Sequence, residues 1–249
     1  MSKAEFSFAN FPVKPASYAA ALGPTMVIIP HPDDESLGCG GLLALLRQAG
    51  LPVQAVLVSD GTMSHPNSHK FPPAARQALR ATELREALEI LGVETPDTVY
   101  MGLPDGAVPT AESPGFTAAA SQIQQHIAQH QPATLLVPWR RDPHPDHRAT
   151  SQLVQAALHG AAAPPRLLEY VVWAWERAAP DDLPRSGEVT GWQLDIGPVV
   201  AQKQRAIAAH RSQLTNLIDD DPGGFQLSEQ MLAHFARPFE VYLEINPSS

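Results

Sequence analysis

Short aliphatic runs alternate along this chain with stretches whose apolar residues recur every three to four positions. TMVIIP (25–30), VQAVLVSDG (53–61), DTVYMGL (97–103) and ATLLVP (133–138) are such runs. Their near-continuous aliphatic character predicts strands covered on both faces, as in a parallel sheet. Between them, SLGCGGLLALLRQAG (36–50), PAARQALRATELREALEILG (73–92) and FTAAASQIQQHIAQH (116–130) predict helices, two of them closed by Gly50 and Gly92. A further helix is predicted over about 146–159 and a longer strand over RLLEYVVWAW (166–175). Strand and helix in strict alternation indicate βαβ units. The fold class is therefore α/β: a Rossmann-like, mostly parallel sheet flanked by helices. Residues 176–249 are less regular. GWQLDI and FEVYLEI read as strands, and VVAQKQRAIAAHRSQL as one helix, making an irregular C-terminal elaboration of the same domain. Residues 1–24 read as an N-terminal arm, and 25–249 as a single domain.

Composition narrows the picture only slightly. With 44% apolar and 17% charged residues, the 249-residue chain is of the ordinary globular kind. A net charge of -9 argues against a nucleic-acid partner. The lone cysteine, Cys39, allows no intramolecular disulfide. The first twenty residues hold no continuous apolar run of signal-peptide length, and no segment approaches the ~20 apolar residues of a membrane span. A cytoplasmic location without a membrane span is expected, and a homo-oligomer is left open.

The chemistry sits at the strand ends, where open parallel sheets bind their ligands. HPDDE follows the first strand, SDG the second, LPDG the third and PWRRDPHPDH the fourth. His31 and Asp34 stand three apart, as do His144 and His147. Imidazole and carboxylate suit zinc or another first-row divalent ion such as Fe2+, Co2+ or Mn2+. Two His, one carboxylate and an open position would let such an ion lower the pKa of water from about 15.7 towards ~7, with a second carboxylate taking the proton. The spacing leaves open which of Asp33 and Asp34 does which. A single His-Pro-Asp is more often a turn, and either aspartate is a good helix N-cap. Two copies, each after a strand of one sheet, weigh against that reading.

PHPDDESLGCGG and DPHPDHRAT together resemble the LmbE-like, or PIG-L, N-deacetylases. VLVSDG, RATELREALEILG, YMGLPDG and KQRAIAAHRSQ follow in the same order as in that family. The resemblance implies a zinc-dependent hydrolase that removes an acetyl group from an N-acetylglucosamine-type amino-sugar conjugate. It implies His31, Asp34 and His147 as metal ligands and Asp33 as general base. His144 is implied as the residue that stabilises the oxyanion, and Asp146 as the partner tuning it, with the nearby carboxylate favouring the imidazolium form; whether Asp33 or His144 protonates the leaving amine is left open. Arg80 matches a position facing the substrate pocket, against the alternative of an exposed pair with Glu83. Asp105 is the expected sugar-hydroxyl contact. Glu35 is either a carboxylate behind a metal-ligating His or an acid favoured by the helix dipole. Arg140, Arg141 and Asp142 either line the mouth or, as is commoner for long charged loop residues, are merely solvated; a lid role for the loop 61–73 is left open, and DDDPGG (219–224) reads as a solvated turn. Two rivals remain: a metal-dependent phosphoesterase using the same residues, and a non-catalytic sugar- or metal-binding module.

Overall fold

The computed structural model describes residues 7–96 and 98–246. Its eight strands are β1 (Val13–Lys14), β2 (Thr25–Ile29), β3 (Val53–Ser59), β4 (Val99–Leu103), β5 (Thr134–Pro138), β6 (Arg166–Tyr170), β7 (Val189–Asp195) and β8 (Phe239–Ile245). They form one sheet in the order β1-β7-β8-β6-β5-β2-β3-β4. Only the pairings of β8, with β6 and β7, are antiparallel. Among the described residues the α-helices are α1 (Asp34–Gln48), α2 (Pro73–Ile90), α3 (Phe116–His130), α4 (Pro145–Leu158), α5 (Val200–Ala209), α6 (Arg211–Leu214) and α7 (Glu229–Phe235).

Alternation within each strand divides the core between the two faces of the sheet. On β2, Val27 and Ile29 pack with Leu42, Leu84 and Leu88 beneath α1 and α2. Met26 and Ile28 pack with Ile123 and Leu153 beneath α3 and α4. All five residues of β2 are buried, which explains why this strand reads as an unbroken aliphatic run. Helix α1 lies unusually close to the sheet. A Cβ on Gly38 would stand 2.3 Å from the Tyr170 ring, and that ring is pinned by its hydroxyl to the Ile28 carbonyl.

Four expectations need correction. The N-terminal arm, over the part described, is packed on the sheet: Phe8, Ala19 and Leu22 are buried, and β1 pairs with β7. Residues 1–6 of that arm, and Asp97 at the start of the third predicted strand, lie outside the described residues. The strand over 166–175 ends at Tyr170, because the chain turns into a 3-10 segment, Trp173–Trp175, whose first amide donates to the Asp142 carboxylate. The helix over 199–214 breaks at His210, giving α5 and α6. Finally, α7, capped by the Ser228 hydroxyl, was absent from the sequence reading. The C-terminal third is thus integral to the sheet, contributing β7 and β8.

Candidate functional site

Strands β5 and β2 are neighbours in the sheet, so the loops leaving their carboxyl ends meet. This places the two His-Pro-Asp segments side by side at a cavity of about 220 Å³. His31, Asp33, Asp34, Arg80, Asp105 and His144 border it, opposite Leu37, Met63, Trp173, Phe225 and Leu227.

In the first segment, the Asp34 carboxylate accepts the His31 amide and lies 3.4 Å from His31 Nδ1 and 3.1 Å from His147 Nε2. Behind His31, the other ring nitrogen meets Asp146 at 3.0 Å and Asp105 at 3.2 Å. Behind His147, Nδ1 lies 3.3 Å from Asp142. Both histidines therefore turn one nitrogen to Asp34 and the other to a supporting carboxylate, an arrangement that fixes ring orientation in metal sites. His147 is fully buried, yet neither of its nitrogens makes a well-directed hydrogen bond. Donors 3.1–3.4 Å apart but poorly aimed at each other suit a third body between them. For tetrahedral zinc with ligands at about 2.0–2.1 Å, neighbouring donors stand about 3.3 Å apart. Asp34 stands at such distances from one nitrogen of each histidine, and two imidazoles with a carboxylate suit such an ion in their chemistry. Ligand atoms of His31, His144 and His147 lie within 4.8 Å of one another, as do those of His31, Asp105 and Asp146. His144, however, spends Nδ1 on the Asp146 amide, and Asp146 accepts the Gly106 and Val108 amides.

Asp33, the N-cap of α1, has φ 128° and ψ -27°, a backbone conformation that side-chain-bearing residues rarely adopt. Its amide is held by Glu35 at 3.0 Å, and its carboxylate by Arg80 at 3.1 Å. Arg80 also donates to the Pro32 and Gly61 carbonyls. Burial pushes the Asp33 carboxyl up to about 7, with Arg80 opposing and Asp34 adding to the rise. For Asp34, burial works in the same direction but is outweighed by His147 and His31, which hold it far below the usual range. His147 is raised to about 9, Asp34 and Asp142 overcoming the effect of burial. Burial and the imidazoles of His147 and His31 lower His144 to about 4.

Several sequence expectations change here. The Asp146 carboxylate faces His31, and what it and Asp34 do to favour an imidazolium at His144 is outweighed by burial and the two neighbouring imidazoles. Glu35 stands behind no metal-ligand candidate; it meets His210 Nε2 at 2.8 Å. Asp105 borders the cavity, but its two oxygens are engaged by His31 and the Met63 amide. Glu83 pairs with Ser212 rather than Arg80. Asp142, read as a mouth residue, is fully buried; its place two residues before His144 was the available signal. The acids of DDDPGG are bound to the loop 61–73: Asp220 accepts from Ser68, His69 and Lys70, and Asp221 from Asn67. Met63 and Ser64 of that loop, and Phe225 and Leu227 just after DDDPGG, line the cavity.

The profile of the family described as PIG-L, GlcNAc-PI de-N-acetylase, matches residues 26–158. The chain is 30% identical over 215 residues to a 2'-N-acetylparomamine deacetylase of Streptomyces fradiae, spanning 77% of this chain and 74% of that protein. It is 29% identical to a probable N-acetyl-alpha-D-glucosaminyl L-malate deacetylase 2 of Bacillus cereus, spanning 78% and 86%. The structure of an N,N'-diacetylchitobiose deacetylase from Pyrococcus horikoshii shares the fold, with TM-score 0.65, 21% identity and coverage of 82% and 75%. No helix among the described residues is long and apolar enough to cross a membrane.

Proposed function

The chain belongs to the PIG-L (GlcNAc-PI de-N-acetylase) family, and from that premise we propose that it is a metal-dependent hydrolase removing the N-acetyl group from an N-acetylglucosamine-type conjugate. The observation that carries this reading is that Asp33, His31 and Asp34 line one cavity, with Asp34 between nitrogens of His31 and of the buried His147 just behind it. His31, Asp34 and His147 would hold the ion, zinc or another first-row divalent metal. When bound, it would supply Lewis-acid polarisation and an acidified water.

The protein's own groups divide the remaining work. Asp33, within the cavity and steadied by Arg80, takes the proton of the attacking water as general base. Because His144 Nδ1 accepts the Asp146 amide, a neutral ring carries its proton on Nε2. It therefore donates a hydrogen bond to the tetrahedral oxyanion. With no proton to spare on a neutral His144, the proton taken by Asp33 goes to the leaving nitrogen as the C–N bond breaks, yielding acetate and the free amine. Asp105, Asp146 and Asp142 keep the two histidine rings oriented. The deacetylase domain is taken as 25–249, buttressed by the segment before it, in a cytoplasmic enzyme acting on a small conjugate.

The test is acetate release from a panel of N-acetylglucosamine conjugates, with and without chelator, alongside metal analysis. Release that is lost with the metal and restored by re-addition of a divalent ion is expected. Phosphatase turnover with two metals per chain and no acetate release would overturn the reading.

A further inference from the structure

A buried polar relay runs from α2 to the cavity through the segment after the His210 break. Ser212 donates both its amide, at 2.8 Å, and its hydroxyl, at 2.6 Å, to the buried Glu83 carboxylate. A carboxylate can only accept, so the Ser212 proton is committed and its oxygen has only lone pairs left to offer. Gln213, 2.8 Å away, must therefore turn its NH2 group towards Ser212. That fixes the orientation of an amide whose two ends are otherwise hard to tell apart. The consequence falls on the other end: Gln213 Oε1, on a fully buried residue bordering the cavity, has no hydrogen-bond partner. An orphaned buried acceptor is costly and calls for an occupant.

We infer that Gln213 Oε1 accepts a hydrogen bond from one hydroxyl of the sugar ring that carries the acetamido group. The inference rests on the deacetylase reading and sharpens it: at this point the site offers an acceptor and no donor. A ring position that cannot donate is rejected here, whether it bears hydrogen or fluorine. Sites built around a substrate hydroxyl discriminate strongly against analogues lacking it, because their own polar group is left unpaired.

The experiment measures kcat/KM for acetate release from N-acetylglucosamine glycosides in which each ring hydroxyl in turn is replaced by hydrogen or by fluorine. In the wild type, one position is expected to lose roughly tenfold to hundredfold, equally for both replacements. In Gln213→Met, the parent glycoside should fall to the same level and the penalty at that position should vanish. Ser212→Ala, which frees the amide to turn, should reduce the penalty without removing it. Fluorine tolerated at every position by the wild type would overturn the inference on substrate evidence alone, whatever the folding of the variants. So would an undiminished penalty in Gln213→Met. An active wild type showing no such coupling sinks this inference and leaves the deacetylase reading standing. No acetate release from any glycoside, with no binding of the corresponding amino sugar by titration calorimetry, would overturn both.

Discussion

HPDDE after β2 and HPDH after β5 begin alike and lead into helices at adjacent strand ends, yet they are built differently. In the second, His144 has an ordinary extended backbone (φ -74°) and caps α4 with its own ring nitrogen. In the first, the capping position falls to Asp33, which has a positive φ and makes no side-chain cap bond. Its carboxylate is turned away from the helix to Arg80, and Glu35 takes over its amide. The difference is one of allegiance. The second segment uses its side chains to satisfy its helix, while the first diverts a carboxylate into the cavity and needs support from α2 and from His210 to do so. A shared motif thus supplies two kinds of group: a fixed hydrogen-bond donor and a buried acid steadied by Arg80.

The contrast can be broken most severely at Asp33. Asp33→Asn keeps the shape and the Arg80 contact but loses the base; kcat should fall by up to about 10⁴, with metal content unchanged by elemental analysis. Normal turnover in this variant would remove Asp33 from the mechanism. His144→Phe should cost roughly 10² in kcat, with KM little altered. An equal loss confined to KM would mean that the ring only binds substrate. The smallest effect concerns the anchoring of the second segment by Arg141, whose guanidinium pairs with Glu188. The Arg141 hydrogen bond, working against a burial effect, lowers Glu188 from 4.5 to about 2. A depressed carboxyl stabilises above its unfolded pKa and loses that contribution as pH falls through its folded one. Glu188→Gln should therefore lower Tm at pH 7 by at most about 2–4 °C. The gap should close between pH 4.5 and pH 2; a gap that widens on acidification would refute the pairing.

Buried strands such as β2 and β5 were legible because every residue after the opening threonine is apolar and both faces are covered. The helix over 73–90 was legible from its periodic leucines. Pairings that depend on distant partners were not. Val13 and Lys14 carry no strand signal of their own and are recruited by the open edge of β7. VVWAW has strand propensity, but the Asp142 carboxylate captures the Trp173 amide and the chain turns. At the site, residue identities were readable from the motifs, whereas carboxylate directions were not. Asp146 faces His31, and Glu35 faces His210, because the amides of Val108 and Asp33, in the third and first strand-end loops, claim their remaining oxygens. Gln213 is invisible without the Ser212–Glu83 contact, which joins residues 129 apart in sequence.

The backbone at Asp33 has a consequence for how this protein could be improved and what improvement would destroy. Glycine is already better than alanine at a helix N-cap, and at φ 128° it is also the residue that fits without strain. Asp33→Gly should be more stable than Asp33→Ala by about 1–3 kcal/mol in chemical denaturation, and both should be inactive. A selection for thermal stability alone would thus drift towards glycine at position 33 and arrive at a sturdier protein with no chemistry. The strained acid marks the point where stability and catalysis pull this chain in opposite directions.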